Sequence, residues 1–320
     1  MSLKKDIPVT IIGGDLGCGK TTLLNVLLHG KHGLRLAVLL NDFGNINIDA
    51  QLVQSQNDEV ITLANGCICR SVGDDFSKTL MELAGRSTPP EHIIIEASSL
   101  SDPCKIVQYA MAIPGLCSGG IIILADAATI RKRSADRSVG DTVTHQLKMA
   151  DLLILNKIDL VKEEQRVALR AWMQRTVPKA RFIETSQCVV PVSIMLGLGP
   201  VQWPQSVSEL SQHDHLYHTD SYETWSYISD ELLNGNALRG LMDTLPPNIL
   251  RAKGVLCLAE EPAHRTIFQL VGEQWSLKAD GPWGEDPRSS HMVMLGLRNE
   301  IANSYVKQMT SINLHLSAVK

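Results

Sequence analysis

The residues Gly14-Asp15-Leu16-Gly17-Cys18-Gly19-Lys20-Thr21-Thr22 have the spacing Gly-x-x-x-x-Gly-Lys-Thr. They lie between the apolar run Val9-Thr10-Ile11-Ile12 and a second apolar stretch from Leu23 to Leu28. A strand, a glycine loop and a helix in that order suit a polyphosphate. The glycines let backbone N–H groups turn inward around the anion, and the helix N-terminus adds partial positive charge. In such a loop Gly14, Gly17, Cys18, Gly19 and Thr22 line the phosphates and Lys20 reaches the outer ones. The Thr21 hydroxyl is then a hard oxygen ligand for a bridging Mg2+.

Two acids follow other aliphatic runs. Asp42, in Asn41-Asp42-Phe43-Gly44, comes just after Leu36–Leu40. It is a candidate to hold magnesium, a second metal or an attacking water, and its alternative use is to cap a turn. Glu96 follows Ile93-Ile94-Ile95 and is the favoured organiser of magnesium or water. Its alternative is a helix N-cap, a role that Ser98, Ser99, Ser101 and Asp102 fill more readily. Lys20, Glu96 and Asp42 therefore form the candidate catalytic set, with Thr21, Glu96 and Asp42 as candidate magnesium ligands.

Asn156-Lys157-Ile158-Asp159 follows Leu152–Leu155 and has the pattern that selects guanine. Asp159 would accept hydrogen bonds from the N1–H and 2-amino groups of guanine, and adenine offers neither donor there. This favours GTP over ATP and counts against an ATP-using small-molecule kinase. Thr185-Ser186-Gln187 is a weaker candidate for the far edge of the base pocket.

Cys67 and Cys69 stand one residue apart in Asn65-Gly66-Cys67-Ile68-Cys69-Arg70. Two thiolates at that spacing reach a common ion and select zinc, cobalt or another borderline metal. Two ligands leave the coordination sphere open, which suits a site that must release its cargo. The alternative is a pair of small buried side chains. Cys18 fills a small-residue slot in the phosphate loop, and Cys104, Cys117, Cys188 and Cys257 read as packed side chains.

These residues need a scaffold, and the aliphatic runs supply one. Val9–Ile12, Leu36–Leu40, Ile93–Ile95, Ile121–Leu124 and Leu152–Leu155 lack polar alternation, and Arg181–Thr185 adds a sixth candidate strand. Helices are expected at Thr21–His29, Asp74–Ala84, Thr142–Ala150 and Glu163–Gln174. The fold class is α/β: a doubly wound, mostly parallel sheet of the P-loop NTPase kind, with ligands at the carboxyl ends of its strands.

The chain has 320 residues, 44% of them hydrophobic and only 4% aromatic, enough for two domains with aliphatic cores. A net charge of −4 argues against a dedicated nucleic-acid binder. No apolar run reaches the roughly 18 residues that span a bilayer, and no signal-peptide core precedes the first strand. With seven scattered cysteines, this reads as a cytoplasmic protein with reduced thiols. The expected layout is a nucleotide domain over residues 1–196, a polar linker over 197–220 and an α+β domain over 221–320.

The linker contains His213-Asp214-His215-Leu216-Tyr217-His218, read as a solvated segment with collection of metal as the alternative. The second domain is expected to be an antiparallel sheet of Thr224–Ser229, Leu250–Leu258, Thr266–Val271, Trp275–Lys278 and Met292–Leu297. Helices at Ala237–Leu245 and Asn299–Met309 cover one face. Arg251 and Lys253 read as solvated strand residues, Trp275 as core and Trp283 as part of an exposed turn.

Taken together, these motifs resemble the CobW family of P-loop GTPases, which includes cobalamin-biosynthesis proteins, zinc metallochaperones and nitrile hydratase activators. The resemblance rests on Gly14–Thr22, Asn41–Gly44 with Ile48-Asp49-Ala50, Asn65–Cys69, Glu96–Pro103, Ala150-Asp151 and Asn156–Leu160. Ile249–Gly254 extends it to the C-terminal domain. It implies slow GTP hydrolysis with Mg2+, Cys67 and Cys69 as ligands of a transition metal (zinc, cobalt or iron, with zinc or cobalt favoured), and delivery of that metal to a client metalloprotein. An assembly factor that does not carry the metal is the alternative. Homo-oligomerisation stays open, and neither nucleic acid nor membrane is an expected partner. Three positions depart from the family pattern: Arg70 replaces a third cysteine, Asp42 a glutamate and Ser99 a glycine.

Overall fold

Continuous Val, Ile and Leu runs are stable as strands only where both faces of the sheet are covered, and the first part of the chain is built that way. The computed structural model describes residues 6–30, 33–40, 59–62, 73–99, 101–178, 180–197, 222–284 and 287–297. The chain divides into two compact units, Met1–Gly199 and Pro200–Lys320.

The first unit has seven strands: β1 (Ile7–Gly14), β2 (Leu36–Leu40), β3 (Glu59–Thr62), β4 (His92–Glu96), β5 (Leu116–Asp126), β6 (Leu152–Asn156) and β7 (Arg181–Glu184). They form one sheet in the order β3-β2-β4-β1-β5-β6-β7, and every pairing is parallel. All five residues of β2, β4 and β6 are buried. The helices are α1 (Lys20–His29), α2 (Gly73–Gly85), α3 (Pro103–Met111), α4 (Ile130–Ser134), α5 (Gly140–Lys148), α6 (Glu163–Thr176) and α7 (Val192–Leu196).

The central position of β1 places its carboxyl end where successive crossovers leave in opposite directions, the usual ligand crevice of such sheets. Strand β5 shifts register against β1 between Val9 and Thr10. Polar groups pin it there: Thr10 Oγ1 donates to Gly119 O at 3.2 Å and lies 2.8 Å from His92 Nε2, and Ile121 N donates to Asp151 Oδ2 at 2.8 Å. Asp151, noted above only for its family likeness, thus serves the strand rather than a ligand.

This unit has more elements than its aliphatic runs announce. The runs anticipate six strands, and β3 is a seventh, a four-residue Glu-Val-Ile-Thr segment too short to stand out. They also pass over α3, although Asp102 caps it by accepting from Cys104 N at 3.0 Å and Pro103 opens it. The short α4 carries Arg131, Lys132 and Arg133 and has no apolar periodicity to reveal it.

The second unit is a five-stranded antiparallel sheet in the order β11-β10-β9-β12-β8. Its elements are β8 (Tyr222–Ser229), α8 (Gly235–Asp243), β9 (Ile249–Leu256), β10 (His264–Val271), β11 (Gln274–Pro282) and β12 (Ser290–Leu297). Helix α8 begins earlier than its apolar residues suggest because Asn234 caps it, accepting from Asn236 N and Ala237 N at 3.0 Å. Trp225, Tyr227, Leu238, Met242, Phe268, Met292 and Met294 form its core, with Trp275 packed against them. Two expectations are corrected: Trp283 is buried rather than on an exposed turn, and Arg251 is buried rather than solvated. The segments 198–221 and 298–320, which hold the expected linker, its histidines and the last helix, lie outside the described residues. Among the described residues no helix is long and apolar enough to cross a membrane.

Phe76 on α2 is fully buried in the core of the first unit, whereas Met81 on the same helix is 54% exposed. Phe76→Ala is therefore expected to lower unfolding free energy by about 3–5 kcal/mol, and Met81→Ala to change it by less than about 0.5 kcal/mol. Urea unfolding of the two variants checks this.

Candidate functional site

At the carboxyl end of β1 the backbone turns sharply, with φ of +136° at Gly14 and +111° at Gly19. Side chains are also excluded by close approach. A Cβ at Gly14 would lie 2.3 Å from Leu124 O, and one at Gly19 would lie 2.5 Å from Asn156 Nδ2. Glycine is required at both positions, and the loop they shape fits a phosphate group in chemistry and form. Gly19 also starts α1 with no side-chain cap, so the partial positive charge of the helix end faces the loop.

Lys20, the first residue of α1, folds back across that loop, its Nζ donating to Gly14 O at 3.0 Å and Asp15 O at 3.2 Å. Thr21 is half-buried in the same first turn. Cys18 is buried, and burial pushes its thiol up to about 11. It is a neutral packing group, as is Cys188, pushed up to about 12 chiefly by burial.

The base side of the site is tied to the phosphate loop by two side chains. Asn156, at the end of β6 and only 2% exposed, donates from Nδ2 to Cys18 O at 3.0 Å and accepts at Oδ1 from Cys188 N at 3.0 Å. Lys157 Nζ donates to Gly17 O at 2.6 Å and to Asp126 Oδ2 at 2.8 Å. These two members of the guanine-selecting motif therefore act here as struts of the loop. Asp159, in the single 3₁₀ turn Ile158–Leu160, stands exposed and available to a base edge.

Among the described residues the three non-glycine positive-φ positions are Lys157, Gln187 and Cys188, all in these base-side loops. Such conformations cost about 1–3 kcal/mol each unless the surroundings over-determine them. Hydrogen bonds do so here: Thr185 N donates to Leu155 O at 2.9 Å, Ile158 N to Thr185 O at 3.3 Å and Thr185 Oγ1 to Val189 O at 2.8 Å. The segment Thr185-Ser186-Gln187 is thereby held beside the Ile158–Leu160 turn that carries Asp159.

Glu96 is buried at the end of β4, in register with Ile12 of β1 and Leu40 of β2, one level below the phosphate loop. The following turn is braced by Gln146 of α5, whose Nε2 donates to Ser99 O at 3.1 Å and Ser101 O at 2.9 Å. Ser98 and Ser101 share a short hydroxyl contact within it. Asp42, Cys67, Cys69 and Arg70 lie outside the described residues. Among the described residues no group of three or more His, Cys, Asp or Glu side chains is placed to hold a metal ion.

Three functional candidates escaped the sequence reading. Asp126 had a usable signal, since it is an acid at the carboxyl end of a buried strand, as Glu96 is. Gln146 had none beyond its place on a helix. The third is a pair: Arg133 on α4 grips Asp15 of the phosphate loop, with Nη2 donating to Oδ1 at 2.8 Å and Nε to Oδ2. Residues 118 apart in sequence gave no hint of this.

Comparison with known proteins adds a family. The profile described as CobW/HypB/UreG, nucleotide-binding domain, matches residues 8–184, and that of the cobalamin synthesis protein cobW C-terminal domain matches residues 222–307. A protein of Sinorhizobium sp named zinc chaperone CobW is 30% identical, over 92% of this chain and 93% of its own. Zinc chaperone YjiA of Escherichia coli is 28% identical, over 91% and 94%. Zinc-regulated GTPase metalloprotein activator 1 of Dictyostelium discoideum is 27% identical, over 93% of this chain and 73% of its own. With a nucleotide-binding profile over more than half its length and a second profile over its C-terminal unit, the chain belongs to the CobW/HypB/UreG family.

Proposed function

We propose that this protein is a GTP-hydrolysing metallochaperone that carries zinc, or cobalt as the second candidate, to a client metalloprotein. One observation carries the nucleotide half of this reading: Asn156 and Lys157 hydrogen-bond the phosphate loop directly, so the turn bearing Asp159 is held beside it. Both ends of a guanine nucleotide are thus provided for by one connected set of side chains. The metal half draws on Cys67 and Cys69 and on the zinc chaperones and zinc-regulated GTPase activator among its relatives.

In this mechanism the loop amides and Lys20 hold the β- and γ-phosphates and stabilise charge as it develops on the transferred group. Thr21, Glu96 and Asp42 would hold Mg2+, which would supply positive charge to offset that of the phosphate oxygens. Glu96 and Asp42 orient the attacking water. Gln146, by gripping the carbonyls of Ser99 and Ser101, sets the resting position of the turn after Glu96. Ordering of the Asp42 and Glu96 loops by Mg-GTP would position Cys67 and Cys69, and hydrolysis would release the metal to the client. Turnover without a client is slow.

Two results test this. Asp159→Asn exchanges a double acceptor for an amide and should weaken GTP binding by about 10- to 100-fold. Xanthosine triphosphate, which has a carbonyl where guanine has its amino group, should bind the variant better than GTP does. Unchanged guanine preference would remove Asp159 from the base pocket.

For the metal, reduced protein is titrated with Zn2+ and Co2+ against a competing chelator in Mg-GTP, Mg-GDP and no nucleotide. Tight binding with GTP that weakens with GDP, thiolate-to-cobalt absorbance, and loss of both in Cys67→Ser/Cys69→Ser are the expected outcome. Equal, weak binding in every state would leave a GTP-regulated assembly factor as the better account.

A further inference from the structure

The second position of the phosphate loop is an acid. Asp15 directly follows Gly14 and lies one residue before Leu16, which is 83% exposed at the loop tip. A carboxylate there opposes the entry of a polyphosphate, because like charges within a few ångströms in a partly dry site repel strongly. The same residue gives its backbone carbonyl to Lys20 Nζ at 3.2 Å, so its side chain shares the immediate surroundings of the phosphate-binding lysine.

The carboxylate is not left bare. Arg133 approaches from α4 and closes a two-pronged grip, Nη2 to Oδ1 at 2.8 Å and Nε to Oδ2. The Asp15 side chain is 15% exposed and that of Arg133 37% exposed. The pair is therefore sheltered on the acid's side and open to solvent on the cation's side. Such a fork fixes direction as well as charge, which a lysine could not do. The Arg133 fork, with Lys20 in a lesser role, holds the Asp15 carboxyl below the usual carboxylate range, so Asp15 is ionised whenever the site operates.

The chain handles its other loop acid alike. Asp126, at the end of β5, is paired with Lys157, whose amine also takes Gly17 O. Asp15 in the loop and Asp126 beside it thus each face a cation from another element.

We propose that Arg133 is a positioning residue of the nucleotide site: its guanidinium neutralises and pins the Asp15 carboxylate, so that a loop carrying an acid still receives a polyphosphate. Lys20 is left to the phosphates instead of being drawn onto the Asp15 side chain. The ligand class is a guanosine polyphosphate, and the proposal rests on the GTP-binding reading above. It makes Arg133 and Asp15 a coupled pair in which the loss of the cation matters only while the acid remains.

The test is Mg-GTP and Mg-GDP binding, by calorimetry or a fluorescent guanine nucleotide, to wild type, Arg133→Ala, Arg133→Lys and the Asp15→Asn/Arg133→Ala double variant. Arg133→Ala is expected to weaken GTP by about tenfold and GDP by less, in keeping with the smaller charge. The defect should shrink between ~50 mM and ~500 mM KCl, since exposed charge effects are screened. Arg133→Lys should keep part of the affinity, and the double variant should recover to within about threefold of wild type. A loss that Asp15→Asn fails to rescue, that is equal for both nucleotides, or that salt leaves untouched assigns Arg133 a structural role and overturns the proposal. Failure of the wild-type chain to bind GTP would instead remove the nucleotide site, and this proposal with it.

Discussion

The buried carboxamide of Asn156 is the interaction on which the rest of the site depends. One side chain donates to the phosphate loop at Cys18 O and accepts from the base-side loop at Cys188 N. It joins the ends of β1 and β6, strands that are separated in the sheet by β5. A buried amide that lost either partner would face the full desolvation cost of an unmet polar group, so the two loops are held in one arrangement. Gly19 is part of the same constraint, because any Cβ there would displace the amide.

That rigid joint explains where the chain tolerates strain. Lys157, Gln187 and Cys188 adopt left-handed backbone conformations, and Lys157 and Cys188 are fastened by hydrogen bonds to neighbouring loops. The electrostatic arrangement follows a related logic. Two of the acids in this crevice, Asp15 and Asp126, are each matched by a cation from another element. The network around Glu184, held by Arg166 and Arg170 at the end of β7, is a third such pairing. Burial works against the charged form of Glu184, yet the two arginines together hold it below the usual carboxylate range. On the opposite side, Gln146 braces the turn after Glu96 through neutral hydrogen bonds.

The second unit is made by different rules. Strand β10 alternates buried and half-buried residues, as an antiparallel sheet with unlike faces allows, and the core adds Trp, Tyr, Phe and Met to its aliphatic side chains. Arg251 is buried although its flanking sequence reads as a solvated strand, since alternation names two faces without saying which of them is covered.

Sequence alone determined the strand–glycine loop–helix, most of the strands and the guanine-selecting motif, because these depend on local patterns: apolar runs, required glycines and fixed short spacings. It also determined that Glu96 ends its strand and that Asp159 follows the end of another, the level at which such sheets bind ligands. Tertiary structure decided what local pattern cannot encode. The four-residue β3 depends on a neighbour to pair with, and α4 depends on packing because its Arg131-Lys132-Arg133 run has no apolar face to read. The partners Asn156 with Cys188, Lys157 with Asp126, Gln146 with Ser99, and above all Arg133 with Asp15 are separated by 31 to 118 residues. A side chain's charge and hydrogen-bonding capacity are properties of its own residue, but what satisfies them is fixed only when the sheet closes and brings the loops together.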